Sequence, residues 1–202
     1  MAQVLRWHLG DGEAERDARL DFAIPPKVCR AGLRPGWNVK LLFMPDSPHP
    51  DCEAERMWVE VVQLQAGTRF VGRLLNEPHY LDGIHAGDLV EFGPEHVIGL
   101  DAPADEVGYD REAWVAMNRR VLRSRQRPGR LIWNSAAKCW YAFVGDEDEA
   151  EREDGSDFDW AGLDELVDRF PELHDVFSSK ETRGAWDYDP VAQRYDVIPF
   201  SS

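Results

Sequence analysis

The sequence predicts an α+β fold in two small domains: an N-terminal antiparallel sheet or partial barrel and a C-terminal antiparallel sheet with helices, joined by a helix. Three observations lead there. Short apolar runs punctuated by glycine and proline turns crowd residues 38–100. Apolar residues at helical spacing occupy 110–125 and 160–170. Two further strand pairs, within 131–144 and 185–198, lie before and after the second helical stretch. The chain has 202 residues, 43% of them apolar, enough for two cores.

Residues 1–36 carry little pattern. The stretch from Gly10 to Arg19 is polar and acidic, and Pro25-Pro26 and Arg34-Pro35-Gly36 mark turns. Residues 38–44 form the first strand signal, rich in Val, Leu and Phe, and a proline-rich loop runs to Cys52. Residues 57–64 mix alternation with a Val pair, Ala66-Gly67-Thr68 turns, and residues 69–75 return as the second arm of a hairpin. After Asn76-Glu77-Pro78 and the turn His85-Ala86-Gly87-Asp88, residues 89–92 and 96–100 read as short strands, a spacing suited to a strongly bent sheet. From Asp110, a candidate N-cap, Trp114, Met117 and Val121 fall at helical spacing, and Pro128-Gly129 ends that helix. Residues 131–134 and 140–144 are strands around a polar turn. Residues 160–170 read as a helix capped by Asp159, Pro171 opens another helical turn, and residues 185–188 and 195–198 close the chain as a hairpin around Asp189-Pro190. The domains are therefore drawn at 1–108 and 129–202, with 109–128 as the linking helix.

Charge narrows the function. The formal net charge is −15, from 38 acids against 23 bases. Residues 131–202 hold 18 acids and 6 bases, whereas residues 1–130 are close to balance. A field of that sign repels nucleic acid and anionic membranes and speeds encounter with a basic protein. The six arginines between Arg119 and Arg130 then read as a solvated helix face or as internal partners of the acidic half, not as a phosphate-binding patch. Three cysteines, an odd number without framework spacing, favour a reducing compartment. The first residues lack the apolar core of a signal peptide, and no run of about 18 apolar residues occurs, so the expectation is a cytoplasmic protein.

Catalytic and cofactor motifs are sought without result. The six histidines make no His-Glu-x-x-His or paired Cys/His zinc pattern, there is no Walker loop or dinucleotide fingerprint, and no nucleophile elbow. His49-Pro50-Asp51-Cys52 sits in a proline-rich loop, and the acidic run lacks the order of an EF-hand. The expectation is no enzyme, no cofactor and no metal. What remains is acid beside aromatic. The run from Asp146 to Asp159 holds nine acids and one arginine, and Trp186-Asp187-Tyr188-Asp189 alternates rings with acids, which on a strand separates them onto two faces. An apolar anchor beside charge suits the centre of a protein interface. Trp140 and Trp160 are assigned to the C-terminal core.

Two segments resemble known families. Met57-Trp58-Val59-Glu60, Gly72-Arg73-Leu74-Leu75-Asn76-Glu77-Pro78, Gly87-Asp88-Leu89-Val90-Glu91-Phe92 and His96-Val97-Ile98 resemble the bacterial domain-of-unknown-function family numbered 2314 over residues 38–100. Gly99-Leu100-Asp101 departs from the Asp-Trp usual after its last strand. Trp140-Tyr141-Ala142-Phe143-Val144-Gly145-Asp146-Glu147, the helix at 163–170, Pro171-Glu172-Leu173 and Ala185-Trp186-Asp187-Tyr188 are similar to the immunity protein 33 family of polymorphic-toxin systems over residues 129–200. That resemblance implies a cytoplasmic neutraliser of a bacterial toxin. The expected partner is a cognate toxin protein with a basic surface, and the expected contact residues are Asp146, Glu147, Asp148, Glu149, Glu151, Glu153, Asp154, Trp186, Asp187 and Tyr188. The alternatives are a regulatory or scaffold module with an endogenous partner, or a small-ligand binder using a cleft between the halves that carries His79, His85 or His96.

Overall fold

The computed structural model describes residues 6–19, 22–124, 126–148, 151, 157–179 and 184–198. Two units separate at Pro103/Ala104. Each has its own six-stranded sheet, which bears out the α+β class.

In the first unit the alternation read at 57–64 belongs to a longer strand. The strands are β1 (Trp7–Leu9), β2 (Asn38–Pro45), β3 (Glu55–Gln65), β4 (Arg69–Leu74), β5 (Leu89–Phe92) and β6 (Val97–Asp101). All pairings are antiparallel, in the order β1-β2-β3-β4-β5, with β6 also on β2. Because β5 and β6 are joined by only the short 3-10 turn Pro94–His96, their positions on opposite sides of the path require the sheet to curl, as expected of a partial barrel. Register shifts at Lys40/Leu41 and between Val61 and Gln63 supply the bend. Met57, Val59 and Val61 turn inward along β3, Phe70 meets Phe92 at 5.5 Å, and Trp7 meets Phe43 at 5.2 Å. Thr68 and Gly67 both take positive φ, which closes the β3–β4 hairpin.

The polar N-terminal stretch that gave no sequence pattern holds two short helices, α1 (Gly12–Ala18) and α2 (Lys27–Ala31). Asp11 caps α1 by accepting from the N–H groups of Glu13 and Ala14. Arg30 of α2 is fully buried, at 0% exposure. Its guanidinium donates to the Pro25 carbonyl at 2.7 Å, the Pro94 carbonyl at 2.7 Å and the Glu13 carboxylate at 2.8 Å, so one side chain fastens both helices and the 3-10 turn.

The second unit contains β7 (Trp114–Asn118), β8 (Arg130–Asn134), β9 (Cys139–Phe143), β10 (Phe158–Gly162), β11 (Ala185–Asp189) and β12 (Arg194–Ile198), ordered β10-β7-β9-β8-β11-β12. Its helices are α3 (Ala104–Val107), α4 (Arg119–Ser124), α5 (Leu163–Arg169) and α6 (Leu173–Ser178). Three expectations are corrected here. The segment 109–128 is not a linking helix: it contributes β7 to the middle of this sheet and then the short α4. The sheet is mixed rather than antiparallel, because β7 runs parallel to β9. The helix expected from Trp160 starts at Leu163, behind the strand β10, with Gly162 at its N-cap position. The helical spacing of Trp114, Met117 and Val121 loses to pairing: β7 is held between β9 and β10, and Val115 and Met117 are buried. The strands at β8, β9, β11 and β12 stand where the sequence placed them.

Trp140 meets Trp186 at 5.1 Å and Trp133 at 5.4 Å, both with tilted rings, and Phe177 of α6 meets Trp140 at 5.0 Å. These rings form the centre of the second core. Among the described residues no helix is long and apolar enough to cross a membrane. The thiols of Cys29, Cys52 and Cys139 are buried.

Candidate functional site

The glycine- and asparagine-containing motif of the first unit shapes a loop. A side chain at Gly72 would meet Val59 Cγ1 at 2.2 Å and the Glu60 carbonyl at 2.9 Å, so only glycine lets β4 lie this close to β3. The Asn76 carboxamide oxygen accepts from the Trp58 N–H at 2.7 Å. Glu77 accepts from the Ala86 N–H at 3.0 Å and bonds the His85 ring at 2.8 Å, and Asp88 accepts from the His85 N–H at 2.8 Å. The bond to His85, and then that to Ala86, holds the Glu77 carboxyl below the usual range, and Glu77 holds the His85 imidazole above its own. Glu55, which no motif marked, accepts from the N–H groups of His79, Tyr80 and Leu81 at 2.7–3.1 Å. These residues act on backbone and on one another, and the motif reads as the frame of the 76–88 loop.

The other histidines are engaged locally. His96 accepts from the Gly93 N–H at 2.9 Å, and His79 stands edge-on to Tyr80 at 4.5 Å. His49 accepts from the Asp51 N–H at 3.2 Å. Burial, with Glu55 adding, pushes the neighbouring Cys52 thiol up, away from the thiolate a nucleophile needs. A pocket of about 100 Å³ lies over Phe22, Leu42 and Met44 between Arg19 and Arg56, well under the size of a drug-like ligand site. Among the described residues no group of three or more His, Cys, Asp and Glu side chains is placed to share a metal ion.

The expected contact residues in the second unit divide sharply. Glu149, Glu153 and Asp154 lie outside the described residues. Asp148 and Glu151 are exposed and bond each other's backbone N–H groups at 3.0 and 2.9 Å. Asp146 is exposed but paired with Arg120 at 2.6 Å, and that bond holds its carboxyl below the usual range. Glu147 is corrected: it is 3% exposed, and its carboxylate accepts from Asn118 at 3.0 Å, the Val144 N–H at 2.6 Å and the Gly145 N–H at 2.8 Å. It closes the turn after β9 and presents nothing to a partner.

The β11 group is corrected too. Rings and acids alternate on that strand, but the rings face inward. Trp186 is 2% exposed and belongs to the core. Tyr188 is half-buried, with the Arg127 guanidinium over its ring at 4.5 Å and Tyr195 beside it at 5.2 Å. Burial pushes the Tyr195 phenol up, and its hydroxyl donates to the Pro128 carbonyl at 2.6 Å. Asp187 takes Arg130 in a two-point pair at 2.6 Å. The arginine cluster does serve as internal partner of the acidic half. Arg119 pairs with Asp159 at 3.0 Å, Arg120 with Asp146, Arg127 with Glu172 at 2.9 Å and Arg130 with Asp187.

The exposed indoles lie elsewhere. Trp114 is 59% exposed and Trp160 is 60% exposed. In the β7–β10 register Trp160 faces Ala116 and Gly162 faces Trp114, so both indoles project from the same face of the sheet, diagonal to one another. Tyr141, opposite Ala116 across β7–β9, extends that face, and Phe158 meets Phe143 at 5.2 Å and Tyr141 at 6.3 Å. Trp140, beneath α6, is on the opposite face because it opposes Val115. Thus Trp160, assigned to the core from sequence, and Trp186, assigned to the surface, exchange places. A strand assignment at 158–162 combined with the edge position of β10 is the signal that identifies Trp160, and the helical reading hid it.

No curated protein and no solved structure matches the chain. Residues 35–99, which contain the Gly72–Pro78 and Gly87–Phe92 motifs, match the family described as uncharacterized protein conserved in bacteria (DUF2314).

Proposed function

We propose that the chain is an immunity protein that neutralises a cognate bacterial toxin in the cytoplasm by stoichiometric binding and occlusion. The observation that carries the reading is the pair Trp114 and Trp160, two large indoles more than half exposed on one sheet face. Exposed aromatic pairs are costly to leave in water and dominate interface energetics when buried. They replace Trp186 and Tyr188 as anchors. The acidic excess of the second unit supports a basic partner surface, and Asp148, Glu151 and Asp157 are exposed acids of the segment that leads into the strand carrying Trp160. The resemblance of residues 129–200 to immunity protein 33 supports the same class. Charge acts on the association rate and the indoles on dissociation.

The test is co-expression with the product of the neighbouring gene. Rescue of growth and a 1:1 complex on gel filtration are the expected results. The double variant Trp114→Ser/Trp160→Ser is expected to weaken that complex about a hundredfold, as loss of two hot-spot residues does, with the melting temperature unchanged. Lack of both rescue and complex overturns the reading.

A further inference from the structure

Among the described residues β10 is the outer strand of its sheet, with β7 on one side only. The Arg119 N–H donates to the Asp157 carbonyl at 2.8 Å, and the Leu163 N–H donates to the Ala113 carbonyl at 3.1 Å. In an antiparallel ladder every second residue exchanges bonds with the partner strand. The residues of β10 turned toward β7 are therefore Asp159 and Ala161. The N–H and C=O groups of Phe158 and Trp160 and the N–H of Gly162 point away from it and have no backbone partner among the described residues, whereas the Gly162 carbonyl is taken by the first turn of α5. Open edges are usually blunted by lysine, proline or a bulge. β10, Phe-Asp-Trp-Ala-Gly, has none of these and keeps unbroken register with β7. The opposite edge, β12, differs: Arg194 and Asp196 bond each other along it.

The side chains of this edge alternate in character. Phe158 and Trp160 lie on the aromatic face, while Asp159, preceded by exposed Asp157, lies toward the other. Asp159 is held by Arg119, so a strand complementary to this edge places apolar residues over the two rings and a base beside Asp157. The run that leads into β10, with nine acids to one arginine, adds long-range attraction of the same sign. We infer that β10 receives an extended segment of a partner protein, alternating basic and apolar residues, as an added strand. Main-chain bonds to Phe158, Trp160 and the Gly162 N–H give affinity, and Phe158 and Trp160 select the apolar positions. This rests on the protein-binding reading above and names the mode of contact.

Gly162 allows a clean test. Its φ is −75°, a value proline adopts, and a Cβ built there meets nothing within 4 Å. Gly162→Pro therefore deletes one outward donor and fills the strand path without disturbing the β7 ladder, and Gly162→Ala keeps the donor. The probe is a fluorescein-labelled seven-residue peptide alternating lysine and valine, added to the full chain and read by anisotropy and by amide hydrogen exchange. Binding with protection at Phe158, Trp160 and Gly162 is expected. Gly162→Pro is expected to weaken it about tenfold and Gly162→Ala to leave it unchanged. A peptide with glutamate in place of lysine is expected to bind at least tenfold more weakly. No binding, or binding indifferent to Gly162→Pro, overturns the added-strand mode. If the neighbouring gene product forms a complex of equal affinity with wild type and Gly162→Pro, strand addition is wrong and the immunity reading stands. If the peptide binds in a Gly162→Pro-sensitive way and the gene product does not bind, the edge site stands and the immunity reading falls.

Discussion

Trp186→Ala is expected to lower the free energy of unfolding by about 3–5 kcal/mol, the cost of emptying a buried indole site that its neighbours cannot refill. Trp186 packs against Trp140 with the rings tilted, and Trp140 in turn contacts Trp133 and Phe177, so the cavity opens at the junction of three strands and α6. Urea denaturation followed by circular dichroism measures it. Trp160→Ala in the same experiment is expected to stay within about 0.5 kcal/mol of wild type, since its ring is mostly in water. Equal effects from the two variants would contradict the assignment of one indole to the core and the other to the surface.

Arg30→Met has a comparable expected effect on the first unit, about 3–5 kcal/mol. Methionine fills much of the space but donates nothing. The carbonyls of Pro25 and Pro94 and the carboxylate of Glu13 would each lose a donor, the first of these bonds being fully buried. Arg30→Lys is expected to recover only part of the loss, because an ammonium cannot reach three acceptors in the planar arrangement that a guanidinium spans. Differential scanning calorimetry of the three proteins gives the order wild type, lysine, methionine. A methionine variant as stable as wild type would mean that the three bonds contribute nothing net.

In the first unit β1 (Trp7–Leu9), which pairs far along the chain with β2, was not legible, whereas β2 to β5 were, because each pairs with the next. β3 and β4 are joined by a tight turn, and Met57, Val59 and Val61 alternate without interruption. β7 was not, because its neighbours come from residues 139–143 and 158–162, and only pairing with them distinguishes Trp114 to Asn118 from a helical stretch. The alternation on β11 was read correctly as two faces. Which face turns inward depended on Arg130, which draws Asp187 to the outer side, and on Trp140, which receives Trp186 on the inner one. Glu147 is one acid among nine, and its burial follows from the turn at Gly145, whose φ is +106°. Arg30 follows a Pro-Pro turn in a short helix, where no periodicity marks one position as interior. Such features arise from long-range closure, and a local pattern carries no trace of them.

The three buried thiols make the molecule its own reporter of opening. Cys29 and Cys52 belong to the first unit and Cys139 to the second. An alkylating reagent reaches each only when the surrounding structure parts, so the rate at which each cysteine gains mass measures the stability of its own neighbourhood. Followed by peptide mass spectrometry in a single tube, the labelling of Cys139 against that of Cys29 and Cys52 shows whether the two units come apart together or one before the other.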